Sequence, residues 1–166
     1  MTDIAVAEGD LWHEFTLDPI IVDLPLDLMQ QSEDGSYLKV SEEYGFGQLG
    51  SWRTIVALDH NGDGIVDPIA GDVEDRAIFL MSEGCTANGW FEVDAPMHSR
   101  VEVVVDGVTH TGWTMTHSSF GGAHAPIVHF GLGDAQAVDS VRVLLPSGEE
   151  VVYDEPLPAR RQIIVR

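Results

Sequence analysis

The chain has 166 residues, which is enough to bury one sizeable hydrophobic core or two small ones. It carries 28 Asp and Glu against 8 Lys and Arg, a formal net charge of −20 at pH 7, and 44% of its residues are hydrophobic. That composition is typical of a globular protein, and the negative field argues against nucleic acids and anionic membranes as partners. No apolar run approaches the length of a membrane span, so we expect no membrane insertion.

The hydrophobic periodicity is that of β-strands along almost the whole chain. Turn-forming sequences separate the apolar runs: EDGS at 33–36, NGDG at 61–64, Asp106-Gly107 and PSGE at 146–149. The predicted strands are 3–9, 36–41, 53–59, 76–82, 90–94, 100–107, 127–133, 140–146, 150–154 and 161–166. Only 23–31 and 134–140 are compatible with a turn or two of helix. The pattern predicts an all-β fold, either an antiparallel β-sandwich or a barrel-like fold.

The charge is spread unevenly and suggests an internal boundary. Residues 1–94 hold 20 Asp and Glu against 3 Lys and Arg, which is −17, whereas 95–166 hold 8 against 5, which is −3. We therefore expect an acidic β segment over 1–94 and a second β module over 95–166. We expect the two to pack as one unit, since an isolated two-stranded hairpin is marginally stable in water.

The segment DHNGDGIVD at 59–67 concentrates oxygen side chains around two glycines. Calcium takes six to eight oxygen ligands, and a short loop supplies them when alternate side chains turn inward. Gly64 permits the sharp turn, but Ala70 stands where an EF-hand carries its bidentate Glu, and strand-like sequences flank the loop. The sequence predicts a calcium loop that closes a β-hairpin. Its predicted ligands are the side chains of Asp59, Asn61, Asp63 and Asp67 and the carbonyl of Ile65.

Two stretches carry a family resemblance. DHNGDGIVD resembles the calcium loop of FG-GAP or VCBS repeats, and SYLKVSEEYGFG at 36–47 resembles the phrase that follows a strand of such a repeat. IVHFGLGDAQAVDSVRVLLPSGEEV at 127–151 is similar to the ASPIC/UnbV module. This combination resembles the cartilage acidic protein-like family. The resemblance implies calcium binding and extracellular interaction, and it supplies no catalytic residue.

A β-propeller built from FG-GAP repeats needs about four to eight blades, and this chain has room for one calcium hairpin. The repeat-like segment therefore either packs directly on the ASPIC/UnbV-like module or belongs to a larger assembly, with a longer propeller or other subunits.

Other chemistries have less support. His110 and His117 would face opposite sides if they shared a strand, which argues against zinc, and His129 in HFGLG is better explained as a packing and hydrogen-bonding residue. Cys85 is the single cysteine, so no internal disulfide forms. Nucleophile and metalloprotease motifs are absent from the sequence, and no carboxylate pair stands out, so we expect no enzyme activity.

The four tryptophans, Trp12, Trp52, Trp90 and Trp113, are candidates either for core packing, which we favour, or for an aromatic platform. We expect Trp113 and Phe120 to contact the partner, a protein or glycan ligand at the cell surface. The sequence thus predicts a secreted or cell-surface, calcium-stabilised interaction or adhesion module. A carbohydrate-binding accessory module and a subunit of a larger surface assembly are the alternatives.

Overall fold

A computed structural model of the protein describes residues 4–8, 24–31, 36–42, 49–74, 76–81, 88–115 and 122–166. All the regular secondary structure in this part of the chain is β-strand, which confirms the all-β prediction. No described stretch forms a helix long and apolar enough to cross a membrane. The strands are β1 (Ile4–Glu8), β2 (Leu24–Gln31), β3 (Tyr37–Lys39), β4 (Leu49–Gly50), β5 (Trp52–Leu58), β6 (Asp67–Asp72), β7 (Ile78–Phe79), β8 (Gly89–Asp94), β9 (Arg100–Val105), β10 (Val108–Trp113), β11 (Ile127–Gly133), β12 (Ala137–Val138), β13 (Ser140–Leu144), β14 (Glu150–Tyr153), β15 (Leu157–Pro158) and β16 (Arg161–Ile164).

The two stretches that seemed compatible with helix do not form one, so that expectation is wrong. Residues 24–31 form β2, which pairs with β1, β3 and β4, and Ala137–Val138 forms β12, which pairs with β15. The partner strands satisfy the backbone hydrogen-bonding groups of β2. This outweighs the helix propensity of its Leu, Met and Gln residues.

The chain forms two compact units. The larger unit contains residues 56–68 and 80–166, and the smaller unit lies within 2–55 and 69–79. The division passes through β5 and β6, which are neighbours in the sheet β5-β6-β7. Residues 59–66, which connect these two strands, belong to the larger unit.

The larger unit is a β-sandwich. One sheet has the strand order β10-β9-β13-β14 and the other has the order β11-β8-β16. Buried and less buried residues alternate along their strands, so each sheet turns one apolar face inward. These inner faces share one buried cluster, and no closed barrel forms among the described strands. The cluster includes Phe91, Val93, Val101, Val103, Val105, Phe130, Leu132, Val141, Val143, Leu145, Ile163 and Val165.

Strand β8 is the central strand of the sheet β11-β8-β16, and it lies just before the predicted boundary at residue 94. It pairs antiparallel with β11 and parallel with β16, so the sandwich departs from a wholly antiparallel arrangement. The Arg166 guanidinium holds the end of β16 beside β8 through two hydrogen bonds of 3.1 and 2.9 Å to the Asp94 carboxylate. These hydrogen bonds lower the pKa of Asp94.

Two of the predicted turns connect the hairpins of the sheet β10-β9-β13-β14. Asp106-Gly107 joins β9 to β10, with Val105 opposite Val108. The turn at 146–149 joins β13 to β14, where the Leu145 amide donates to the Glu149 carbonyl at 2.8 Å. Both turn predictions are confirmed, and EDGS at 33–36 lies largely outside the described residues.

The smaller unit contains the sheet β1-β2-β3, with β4 also paired to β2. Trp52, Ile55 and Ala70 are its buried apolar residues in the described part of the chain. The Asp72 carboxylate accepts the Ser51 amide at 2.7 Å, and the Val73 amide donates to the Ser51 carbonyl. These bonds hold the start of β5 beside the end of β6.

Candidate functional site

Asp59 organises the loop between β5 and β6. Its Oδ1 accepts hydrogen bonds from the amides of Gly62, at 2.8 Å, and Asp63, at 3.1 Å, and its Oδ2 accepts the Gly64 amide at 2.7 Å. Three consecutive backbone amides thus converge on one carboxylate. The result is a tight loop whose chain wraps around the first predicted ligand.

The other predicted ligands lie in the same network. The amide of Asp63 donates to Asn61 Oδ1 at 3.1 Å, and Asn61 Nδ2 donates to Asp63 Oδ2 at 2.8 Å. Asp63 Oδ1 accepts the Ile65 amide at 2.8 Å. Asp67 is fully buried at the start of β6, where its Oδ2 accepts the His60 amide at 3.1 Å. The structure therefore brings Asp59, Asn61 and Asp63 together and ties Asp67 to the same loop.

The donor set of the loop is composed of oxygen atoms, which is the chemistry that calcium and magnesium prefer. As the structure stands, no group of three or more His, Cys, Asp or Glu among the described residues is arranged to hold a metal ion. The carboxylates instead bind backbone amides, and a carboxylate has about four acceptor sites, so amide bonds and a cation are compatible. The residues thus fit a hard cation, which the four predicted side chains and the Ile65 carbonyl would hold.

The loop lies on the outer face of the sheet β11-β8-β16, at a surface that we call the seat, composed of Trp90, Glu92 and His129. Trp90 and Glu92 alternate with the buried side chains of β8, and His129 is opposite Glu92 on β11. The rings of Trp90 and His129 stack with centroids 6.3 Å apart and an interplanar angle of 13°. His129 Nε2 lies 3.0 Å from the Gly64 carbonyl oxygen, which confirms its predicted packing and hydrogen-bonding role.

Glu92 is a charged group of the seat that sequence reasoning missed. Burial raises the pKa of its carboxyl group, His129 opposes this effect, and the nearby Asp59 carboxylate raises the pKa further. The Gln162 amide donates to Glu92 at 3.0 Å. A raised pKa means that Glu92 binds a proton more readily in the folded than in the unfolded state, so the protein loses stability as the pH rises through that raised pKa and the carboxyl group ionises. The seat therefore places a further carboxylate beside the three of the acidic loop.

The tryptophans separate into different environments. Trp52 is buried, as core packing predicts, Trp90 is half-buried against the loop, and Trp113 is 53% exposed at the end of β10. Trp12, Cys85, His117 and Phe120 lie outside the described residues. Of Trp113 and Phe120, the two residues predicted to contact the partner, the structure describes Trp113.

Residues 96–166 match the ASPIC and UnbV family model. The match supports the ASPIC/UnbV module predicted for the second half of the chain, and it includes HFGLG in β11 and the turn at 146–149. No curated protein matches the chain. The matched segment begins two residues after the end of β8, so it contains two strands of the sheet β11-β8-β16 but not the central one.

The two glycines of the loop provide a test of this arrangement. Gly62 and Gly64 have φ angles of +75° and +87°, which disfavour any residue with a Cβ atom. A Cβ atom on Gly62 would meet nothing within 4 Å, whereas one on Gly64 would lie 1.8 Å from Trp90 Cδ1. We expect Gly62→Ala to cost about 1 kcal/mol of unfolding free energy and Gly64→Ala about 1 to 3 kcal/mol more.

Urea unfolding in the presence of a chelator measures both costs. The excess cost of Gly64→Ala should disappear in a Trp90→Ala background, as a double-mutant cycle would show. Equal costs for the two glycines in the wild-type background would contradict the contact between the loop and the seat.

Proposed function

We propose that the protein is a calcium-stabilised interaction or adhesion module of the secreted or cell-surface type, without catalytic activity. The observation that carries this proposal is the loop at 59–67, in which the side-chain oxygens of Asp59, Asn61 and Asp63 accept hydrogen bonds from backbone amides of the same loop. The resemblance of this loop to FG-GAP or VCBS repeats and the match of 96–166 to the ASPIC and UnbV family support it.

Calcium would stabilise the folded state, because it would neutralise carboxylates that otherwise repel one another. Asp59 and Asp63 lie within one short loop, Asp67 is buried at its end, and Glu92 lies beside it. Calcium sites in extracellular modules bind with dissociation constants of about 10⁻⁴ to 10⁻³ M, so they are occupied where calcium is millimolar. This supports a secreted or surface location.

The calcium proposal predicts a change in thermal stability. Calcium at 100 times its dissociation constant should add about 2.7 kcal/mol to the unfolding free energy. Melting curves in chelator and in saturating calcium should therefore differ by several degrees. Asp63→Ala removes a ligand and should abolish the difference.

Asp154→Ala is the matched control, because Asp154 is exposed and the substitution changes the net charge by the same amount. That variant should keep the calcium response of the wild type. A wild-type melting temperature that calcium leaves unchanged would refute the calcium proposal.

The surface that we propose for the partner is the outer face of the sheet β10-β9-β13-β14. Arg100 is opposite Trp113 and Leu144, so these three side chains share one face, and Glu102 is opposite Arg142 in the next row. Arg100 pairs with Glu102, and Arg142 pairs with Glu150 at 3.2 Å. This face therefore combines an exposed aromatic ring, an exposed aliphatic side chain and balanced charges in a strongly acidic protein.

A carbohydrate-binding accessory module is the second candidate, and the exposure of Trp113 favours it. An aromatic ring provides an apolar surface for stacking, while guanidinium and carboxylate groups hydrogen-bond to hydroxyl groups. A shallow depression of about 350 Å³, lined by Arg100, Glu102, Arg142, Leu144 and Glu150, continues along the same face.

Trp113→Ala tests the partner surface. We expect it to weaken binding to the glycan or matrix protein that an immobilised-ligand screen identifies, because it removes the aromatic contact. Its melting temperature should fall by a few degrees at most, since the side chain is 53% exposed. Val108→Ala, on the same strand with 57% exposure, is the control that should bind normally. Unchanged binding by Trp113→Ala would exclude this surface.

A further inference from the structure

The contact between His129 and the loop is a directed hydrogen bond. His129 Nε2 lies 3.0 Å from the Gly64 carbonyl oxygen, and a carbonyl oxygen only accepts. Nε2 therefore carries the proton and donates it to this bond. The donor belongs to the HFGLG strand of the segment that matches the ASPIC and UnbV family, and the acceptor belongs to the predicted calcium loop.

The same peptide unit leads directly to a predicted ligand. The Gly64 carbonyl and the Ile65 amide belong to one planar peptide group. The carbonyl end accepts from His129, and the amide end donates to Asp63 Oδ1 at 2.8 Å. Because hydrogen bonds in series polarise one another, the His129 contact strengthens and orients the bond that holds the Asp63 carboxylate.

Trp90 packs against both partners of this hydrogen bond. Its indole stacks on the imidazole of His129, and it fills the space where any residue other than glycine at position 64 would place a Cβ atom. The Gly64–Ile65 peptide is thus confined by packing on one side and by the imidazole hydrogen bond on another.

We infer that His129 is a positioning residue for the calcium site and that Trp90 supports it, so that the ASPIC/UnbV-like sandwich sets the calcium affinity of the loop. The inference rests on the proposed function, because it concerns the same calcium site. By linkage, occupation of the loop stabilises the contact with His129 to the same extent that the contact strengthens calcium binding.

Calorimetric titration of the full chain with calcium tests the inference. His129→Ala should weaken calcium binding about fivefold, the equivalent of about 1 kcal/mol for one hydrogen bond. His129→Gln keeps an N–H donor on a side chain of similar reach, so it should restore most of the affinity. His110→Ala is the control that should bind calcium as the wild type does, because β10 belongs to the other sheet of the sandwich.

A second measurement separates positioning from simple destabilisation. If His129 serves only the sandwich, His129→Ala lowers the melting temperature equally with chelator and with calcium and leaves the calcium affinity unchanged, which would overturn the inference. If His129 positions the loop, the calcium-induced rise in melting temperature becomes smaller in the variant. Wild-type protein that binds no calcium would overturn the proposed function itself, together with the inference that rests on it.

Discussion

The alternation of side chains along β8 is the constraint on which the rest of the larger unit depends. Phe91 and Val93 face inward and are fully buried between the two sheets, whereas Trp90 and Glu92 face outward to the loop. Because successive residues of a strand point to opposite faces, a shift of one residue would exchange the two sets. The packing of the core therefore also fixes the position of the seat.

The loop at 59–67 is held by two sets of contacts with different physical origins. Its own amides converge on Asp59, which shapes the chain, while Trp90 and His129 fix the Gly64–Ile65 peptide from the outside. Glu92 adds negative charge at the same place, and its raised pKa reflects burial and the proximity of Asp59. If the proposed function is right, a cation in the loop offsets the repulsion between Glu92 and Asp59, so the two carboxylates can lie close together.

Much of this arrangement could be predicted from the sequence, because strand alternation and turn residues are local signals. RVEVVVDG predicted β9 and its turn, and the spacing of Asp59, Asn61 and Asp63 predicted that they converge. Strand β10 was missed because VTHTGW carries little apolar alternation and forms through its pairing with β9. The seat was missed because Trp90, Glu92 and His129 meet the loop only in the folded chain, and no local signal in the sequence brings these distant segments together.

The stability of two fragments tests the central role of β8 most directly. A fragment of residues 80–166 retains β8, whereas a fragment of 95–166 approximates the matched segment and leaves β11 and β16 without the strand between them. Denaturant unfolding followed by far-ultraviolet circular dichroism, which reports on the backbone, should show a cooperative transition for 80–166 and none for 95–166. A cooperative transition of equal unfolding free energy in both fragments would contradict the account.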